Sequence, residues 1–201
     1  MAGRRQQRTV ETHRRILEAA QELVAEQSFE ATSVEAIAMR AGVAKATVFA
    51  HFDGKTSLLI ALHLSQLEAL ATDLRQTVDA LAADPQRNDA CKEILALLSP
   101  WLALYREDPD FARLLLIQST LKDGPHTRQF IEACSGMEAE IRRALSVLAE
   151  RGALRPGAEV TVLTQGVMAF YYHVIVGFNL CHITDEIQQT ELMQGLLARL
   201  L

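Results

Sequence analysis

The sequence predicts an all-α protein: an N-terminal three-helix unit with a helix-turn-helix, then a larger helical portion. Three observations carry the prediction. Five prolines and ten glycines are few for 201 residues, and they fall between segments with apolar residues every three or four positions. No alternating Val/Ile/Thr run of strand length stands out. Residues 33–52 meet the steric requirements of two short helices joined by a tight turn. With 49% hydrophobic residues, the chain can bury a real core in one or two small domains.

The first helix is predicted over about Val10–Gln27, with Ile16, Ala19, Ala20, Leu23 and Val24 at helical spacing and Phe29 at its exit. Thr32, three residues before Glu35, opens the second helix as a capping box. Small Ala38 lets two helices approach, Gly42 supplies the positive φ of the turn, and Ile37, Val43 and Val48 lock the angle. The next helix occupies about Lys45–His51. After the Asp53-Gly54 turn a fourth helix runs from Lys55-Thr56-Ser57 to about Ala82.

Asp84-Pro85 then breaks the chain. A helix over Asn88–Arg106 carries Pro100, which removes one helical donor, and another is predicted over Pro109–Leu121. Phe130, Cys134, Met137, Ile141, Leu145 and Leu148 give the clearest period, and Gly152 stops it as a left-handed cap. Val160–Leu180 contains no charged residue. Thr161, Thr164, Gln165, His173 and Asn179, and acidic flanks at Glu159 and Asp185, argue for a buried helix over a membrane span. The last segment, Asp185–Leu201, pairs Leu192/Met193, Leu196/Leu197 and Leu200/Leu201. With Val174 and Phe178 of the preceding helix, these residues make a candidate four-helix interface between two copies, so a homodimer is expected.

Charge divides unevenly. Residues 1–55 hold eight Lys/Arg against seven Asp/Glu, and the rest twelve against eighteen. Arg4, Arg5, Arg8, Arg14 and Arg15 concentrate positive charge at the start, as either a solvated tail or an arm that follows phosphates. The acidic remainder does not exclude nucleic-acid binding, because the field is local. Three scattered cysteines with no C-x-x-C pair, and no signal peptide, read as reduced thiols of a cytoplasmic protein.

The stretch T-S-V-E-A-I-A-M-R-A-G-V-A-K-A-T-V-F-A-H-F-D-G-K-T-S-L-L resembles the DNA-binding signature of the TetR family of bacterial regulators, over about Arg14–Leu62. The resemblance implies a homodimer with a DNA-binding domain at 1–55 and an effector-binding and dimerisation domain at 56–201. It implies a double-stranded operator and a small, partly apolar effector as partners, and no cofactor. Residue by residue, Thr32 and Ser33 fall at the start of the second helix beside the phosphate backbone. Lys45 and Thr47 fall on the groove-facing recognition helix, His51 before the matching Phe52, and Lys55 as a phosphate clamp at the fourth helix. Arg40, ending the second helix, reaches either a phosphate or solvent. Three positions depart from the pattern. Ala44 replaces a serine cap, Phe49 replaces a tyrosine and cannot donate to phosphate, and Ala50 replaces a larger side chain.

For the effector, Trp101, Tyr105, Phe111, Gln118, Phe130, Met137, Met168, Tyr171 and Tyr172 offer apolar walls with polar handles. No His/Cys/carboxylate spacing supports a metal, and no nucleophile, phosphate loop or metal set supports an enzyme. The reading is a ligand-responsive repressor released from a palindromic operator. A transcriptional activator of the same fold, or a helical ligand carrier without DNA affinity, are its alternatives.

Overall fold

The computed structural model describes residues 2–29, 31–107, 113 and 125–201. Among these it holds eight helices and no strand. They are α1 (Ala2–Gln27), α2 (Val34–Arg40), α3 (Lys45–His51), α4 (Gly54–Ala83), α5 (Ala90–Glu107), α6 (Pro125–Glu150), α7 (Val160–Asn179) and α8 (Glu186–Leu200). The helix expected over 109–121, with Phe111 and Gln118, lies outside the described residues. So do the side chains of Arg4, Arg5, Phe130 and Cys134.

The first compact unit takes in Met1–Ser65 and Leu114–Phe130; the second takes in Gln66–Arg113 and Ile131–Leu201. The expected division is at 55/56. The compact unit extends further because Leu58, in the first turns of α4, is buried in the same cluster as Ile16, Ala20, Ile37, Val48 and Phe52.

Two details of the first unit depart from expectation. α1 begins at Ala2, eight residues before Val10, so the arginine-rich start is helical and not a loose tail. Arg and Gln are good helix formers and no proline interrupts residues 2–9. The cap of α2 is Ser33, whose Oγ accepts from the Ala36 N–H at 3.1 Å. Thr32 is only 1% exposed, and its hydroxyl is committed to the α1 exit, donating to the Ser28 carbonyl at 2.8 Å and accepting from Gln27 at 3.3 Å. The expected Thr32–Glu35 capping box therefore does not form.

In the second unit α5, α7 and α8 pack together. Their buried faces carry Ile94, Leu97, Leu98, Trp101 and Leu102; Leu163, Val167, Val174 and Ile175; and Met193 and Leu197. Met137, Ile141, Leu145 and Leu148 of α6 are all buried, as their period requires. α7 is long and apolar enough to cross a membrane, yet one face is built into this core and it reads as a core helix. Asp89 starts α5 by accepting from Lys92 N–H at 3.0 Å, and Asp185 starts α8 by accepting from Gln188 N–H at 2.9 Å. Gly152, at φ +69°, ends α6 while the Ala153 N–H closes on the Leu148 carbonyl at 3.0 Å.

The end of α4 is held from another element. Arg151 donates to the Leu81 carbonyl at 2.9 Å, to Ala82 at 3.0 Å and to Arg87 at 2.9 Å. These include terminal helix carbonyls that have no partner within α4. Arg151→Ala should lower unfolding free energy in urea by about 2 kcal/mol. Arg151→Lys should recover only part of it, because one ammonium cannot span the three carbonyls. Full rescue by lysine, or no loss with alanine, contradicts the clasp.

Candidate nucleic-acid interface

The site is built outward from α3. Val48 and Phe52 are buried against α1 and α2, which fixes the face that α3 turns to solvent. The turn before it needs Gly42 at φ +64°, a conformation that costs an L-residue roughly 1–2 kcal/mol. The Val43 N–H closes the turn on the Ala38 carbonyl at 2.9 Å. Arg15 of α1 donates to the Ala41 and Gly42 carbonyls, so the first helix grips the turn directly. Nothing in the sequence spacing marked that contact, which joins residues 26 and 27 positions apart.

Lys45, Ala46, Phe49 and Ala50 form the exposed surface of α3, with Phe49 48% exposed. Thr47 is half-buried at its edge. Ala44, as expected, gives α3 no side-chain cap. Lys45 donates to the Glu35 carboxylate of α2, and its Nζ lies 5.8 Å from the Phe49 ring centroid. Glu35 is thus the partner of Lys45 across the turn, a role the capping-box reading hid. The hydrogen bond from Lys45, with Glu35's own backbone contribution, holds that carboxyl below the usual carboxylate range.

The other expected contacts are placed less uniformly. His51 is half-buried, with its ring 5.8 Å from His13, which stacks on Phe52 at 4.6 Å. Lys55 Nζ lies 4.4 Å over the Phe29 ring. Arg40 is turned back onto α1, bonding Glu22 at 3.1 Å and Glu26 at 2.9 Å, and these carboxylates raise its already high pKa. Of the two readings for Arg40, phosphate or solvent, the structure supplies a third, a bridge between α2 and α1. Thr32 is withdrawn by its burial, leaving Ser33 at the head of α2.

Five of the candidate effector residues lie buried in the second unit. Trp101, Tyr105, Met137, Met168 and Tyr171 are buried, and the Tyr105 and Tyr171 rings meet edge-on at 6.3 Å. Trp101 helps line a cavity of about 60 Å³ with Leu70, Leu74 and Leu97, and its indole N–H has no hydrogen-bond partner among the described residues. Tyr172 is a correction: it is 42% exposed on the outer face of α7, because its neighbour Tyr171 takes the inward position.

The candidate dimer surface needs the same revision. Val174, Met193 and Leu197 are buried within one chain by α5–α7–α8 packing and are unavailable to a partner. Leu200 lies against Gly166, where an added Cβ would come within 2.8 Å of it. Phe178 and Leu196 are half-buried and Leu192 is exposed. The residues α7 and α8 turn outward are Val162, Tyr172 and Val176, and Ile187 and Leu192.

Residues 16–62 match the model for bacterial regulatory proteins of the tetR family. The HTH-type transcriptional regulator YerO of Bacillus subtilis (strain 168) is 26% identical over 171 residues, 84% of this chain. The chain spans 57% of that curated relative's length. Among solved structures, FadR of Thermus thermophilus with lauroyl-CoA superposes with a TM-score of 0.68 at 18% identity, covering 94% of this chain and 92% of that one. FadR of Bacillus subtilis with stearoyl-CoA gives 0.64 at 18%, covering 92% and 96%. The complex of triclosan with SmeT, repressor of a Stenotrophomonas maltophilia efflux pump, gives 0.64 at 20%, covering 94% and 90%.

The Lys45–Glu35 pair has a direct test. Followed by carboxyl NMR shifts, Glu35 should titrate below an ordinary glutamate, and Lys45→Met should return it to the usual value. Because the folded carboxyl is depressed, the pair is complete above the ordinary glutamate pKa and is lost as pH falls through the folded value. A midpoint indifferent to Lys45→Met contradicts the pair.

Proposed function

We propose that this chain, whose residues 16–62 match the tetR family model, is a ligand-responsive, DNA-binding repressor of that family of bacterial regulatory proteins. The observation that carries the reading is the outward face of α3, held at a fixed angle by a buried opposite face and a braced turn. In this reading a cytoplasmic homodimer sets its two recognition helices in successive major grooves of a pseudo-palindromic operator. Half-sites then lie about 34–36 Å apart, or a multiple of that. Ser33, Lys45, Thr47, Phe49, His51 and Lys55 form the contact set, with residues 1–55 reading DNA and 56–201 sensing and dimerising. It is not an enzyme in this reading.

The effector we propose is partly apolar. Trp101, Tyr105, Met137, Met168 and Tyr171 supply apolar walls, and structural relatives were solved with acyl-CoA or triclosan. Binding releases DNA to the extent that it favours a dimer with wrongly separated recognition helices, a coupling of about 1–3 kcal/mol. α4 is the element that transmits it, since it begins at the Lys55 clamp and continues to Ala83. The dimer surface is the outward set of α7 and α8, where five large apolar side chains remain in solvent in one chain.

Two experiments test the reading. A mobility shift on duplexes selected from a random library should show retardation at low salt; its absence defeats the regulator proposal. In a salt titration Lys45→Ala should flatten the dependence of log K on log[salt] by about one. An unchanged slope removes Lys45 from the contact set. Separately, Val176→Glu should convert the dimer to monomer in sedimentation and weaken operator binding, while α-helical circular dichroism is retained. A Val176→Glu protein that sediments as a dimer places the interface elsewhere.

A further inference from the structure

We propose that Phe49 is the specificity-determining residue of the interface and that its ring reads the 5-methyl group of thymine. The inference rests on the DNA-binding reading above and names what the α3 face selects. Its starting point is composition. Lys45, Ala46, Phe49 and Ala50 are all exposed and stand at i, i+1, i+4 and i+5, so they form one continuous patch on the helix. Three of the four have no donor or acceptor in their side chains.

The exposure of Phe49 is enforced by the packing. Val48 and Phe52 are 2% and 1% exposed, so rotating α3 to shelter Phe49 would draw its neighbours out of the core. A half-exposed phenyl ring forfeits the free energy of burial, and the Lys45 ammonium 5.8 Å from its centroid does not cover it. The ring therefore gains most from a partner that brings apolar surface to a convex helix.

The major groove offers base edges made of nitrogen and oxygen donors and acceptors, with one apolar exception, the thymine methyl. A phenyl ring pressed on guanine or adenine would strip water from N7, O6 or N6 and return no hydrogen bond. Pressed on thymine, it buries methyl against ring. Ala46 and Ala50 extend the same surface with two further methyl groups. Lys45, donor-only, supplies the polar contact of the patch and cannot read a methyl. The chemistry of the face thus selects duplexes with thymine under α3.

The test removes the methyl without touching any hydrogen-bonding group. A duplex selected by the unaltered chain is resynthesised with each thymine replaced singly by deoxyuridine, and Kd is measured by fluorescence anisotropy at fixed salt. At one or two positions in each half-site the substitution should weaken binding about fourfold, the factor expected for one methyl-sized group. Phe49→Ala, with unchanged circular dichroism and thermal midpoint, should bind the thymine and deoxyuridine duplexes equally. Indifference of the unaltered chain to every deoxyuridine overturns the proposal and needs no variant to fold. A thymine preference undiminished in Phe49→Ala overturns the assignment to that residue. Selection that yields no bound duplex removes the DNA-binding reading itself, a result distinct from tight binding that ignores the methyl.

Discussion

The orientation of α3 depends on its grip between α1 and the turn that precedes it. On one side Val48 and Phe52 are buried with Ile16, Ala20 and Ile37, so the helix cannot roll. On the other, Arg15 reaches from α1 to the Ala41 and Gly42 carbonyls, so the turn cannot drift along the helix that carries it. Gly42 serves both arrangements. It takes the positive φ the turn needs, and its missing Cβ leaves the room that Arg15 occupies, since a Cβ there would stand 2.9 Å from the guanidinium. The outward face inherits its direction from this framework. An exposed residue such as Phe49 has meaning at the interface only because its neighbours are immovable.

The same unit manages its charges internally. Arg40 bridges to Glu22 and Glu26, Lys45 to Glu35, and Arg14 to Glu11 and Glu18. Exposed pairs of this kind add little to stability. Their consequence is electrostatic: a unit with nearly balanced charge attracts DNA weakly at a distance. In the proposed complex Lys45 trades the Glu35 carboxylate for a phosphate or a base, so its net gain on DNA is smaller than that of an untethered lysine. With long-range attraction muted, discrimination falls to short-range contact and shape, which suits a recognition face of methyl groups and a phenyl ring.

The helix-turn-helix was legible in the sequence because its requirements are local and steric. Gly42, Ala38 and Val48 each do what their spacing dictates, and α3 has the predicted bounds. The periodicity of α6 was legible for the same reason. What the sequence could not supply was the choice between two chemically suitable neighbours. Thr32 and Ser33 are both good caps, and only the path of the chain leaving α1 decides that Thr32 is buried and Ser33 caps. In α7 and α8, paired apolar residues said that two surfaces exist without saying which faces inward. Met193 and Leu197 are claimed by the core, and Leu192 is left outside. Arg15, Glu35 and Arg151 were invisible as partners because their contacts join distant segments, and a charged residue on a helix carries no sign of where it reaches.

These considerations separate the two halves of the proposed activity in physical terms. On the proposed reading, DNA recognition places the outward face of α3 on a rigid frame, so its selectivity is set by geometry fixed at folding. The sensing we propose draws instead on the buried side chains Trp101, Tyr105, Met137, Met168 and Tyr171, of which the two methionines tolerate several shapes. On the proposed reading the sensing unit can therefore admit apolar bodies of more than one shape, whereas the reading unit presents a surface whose direction is settled by the burial of Val48 and Phe52.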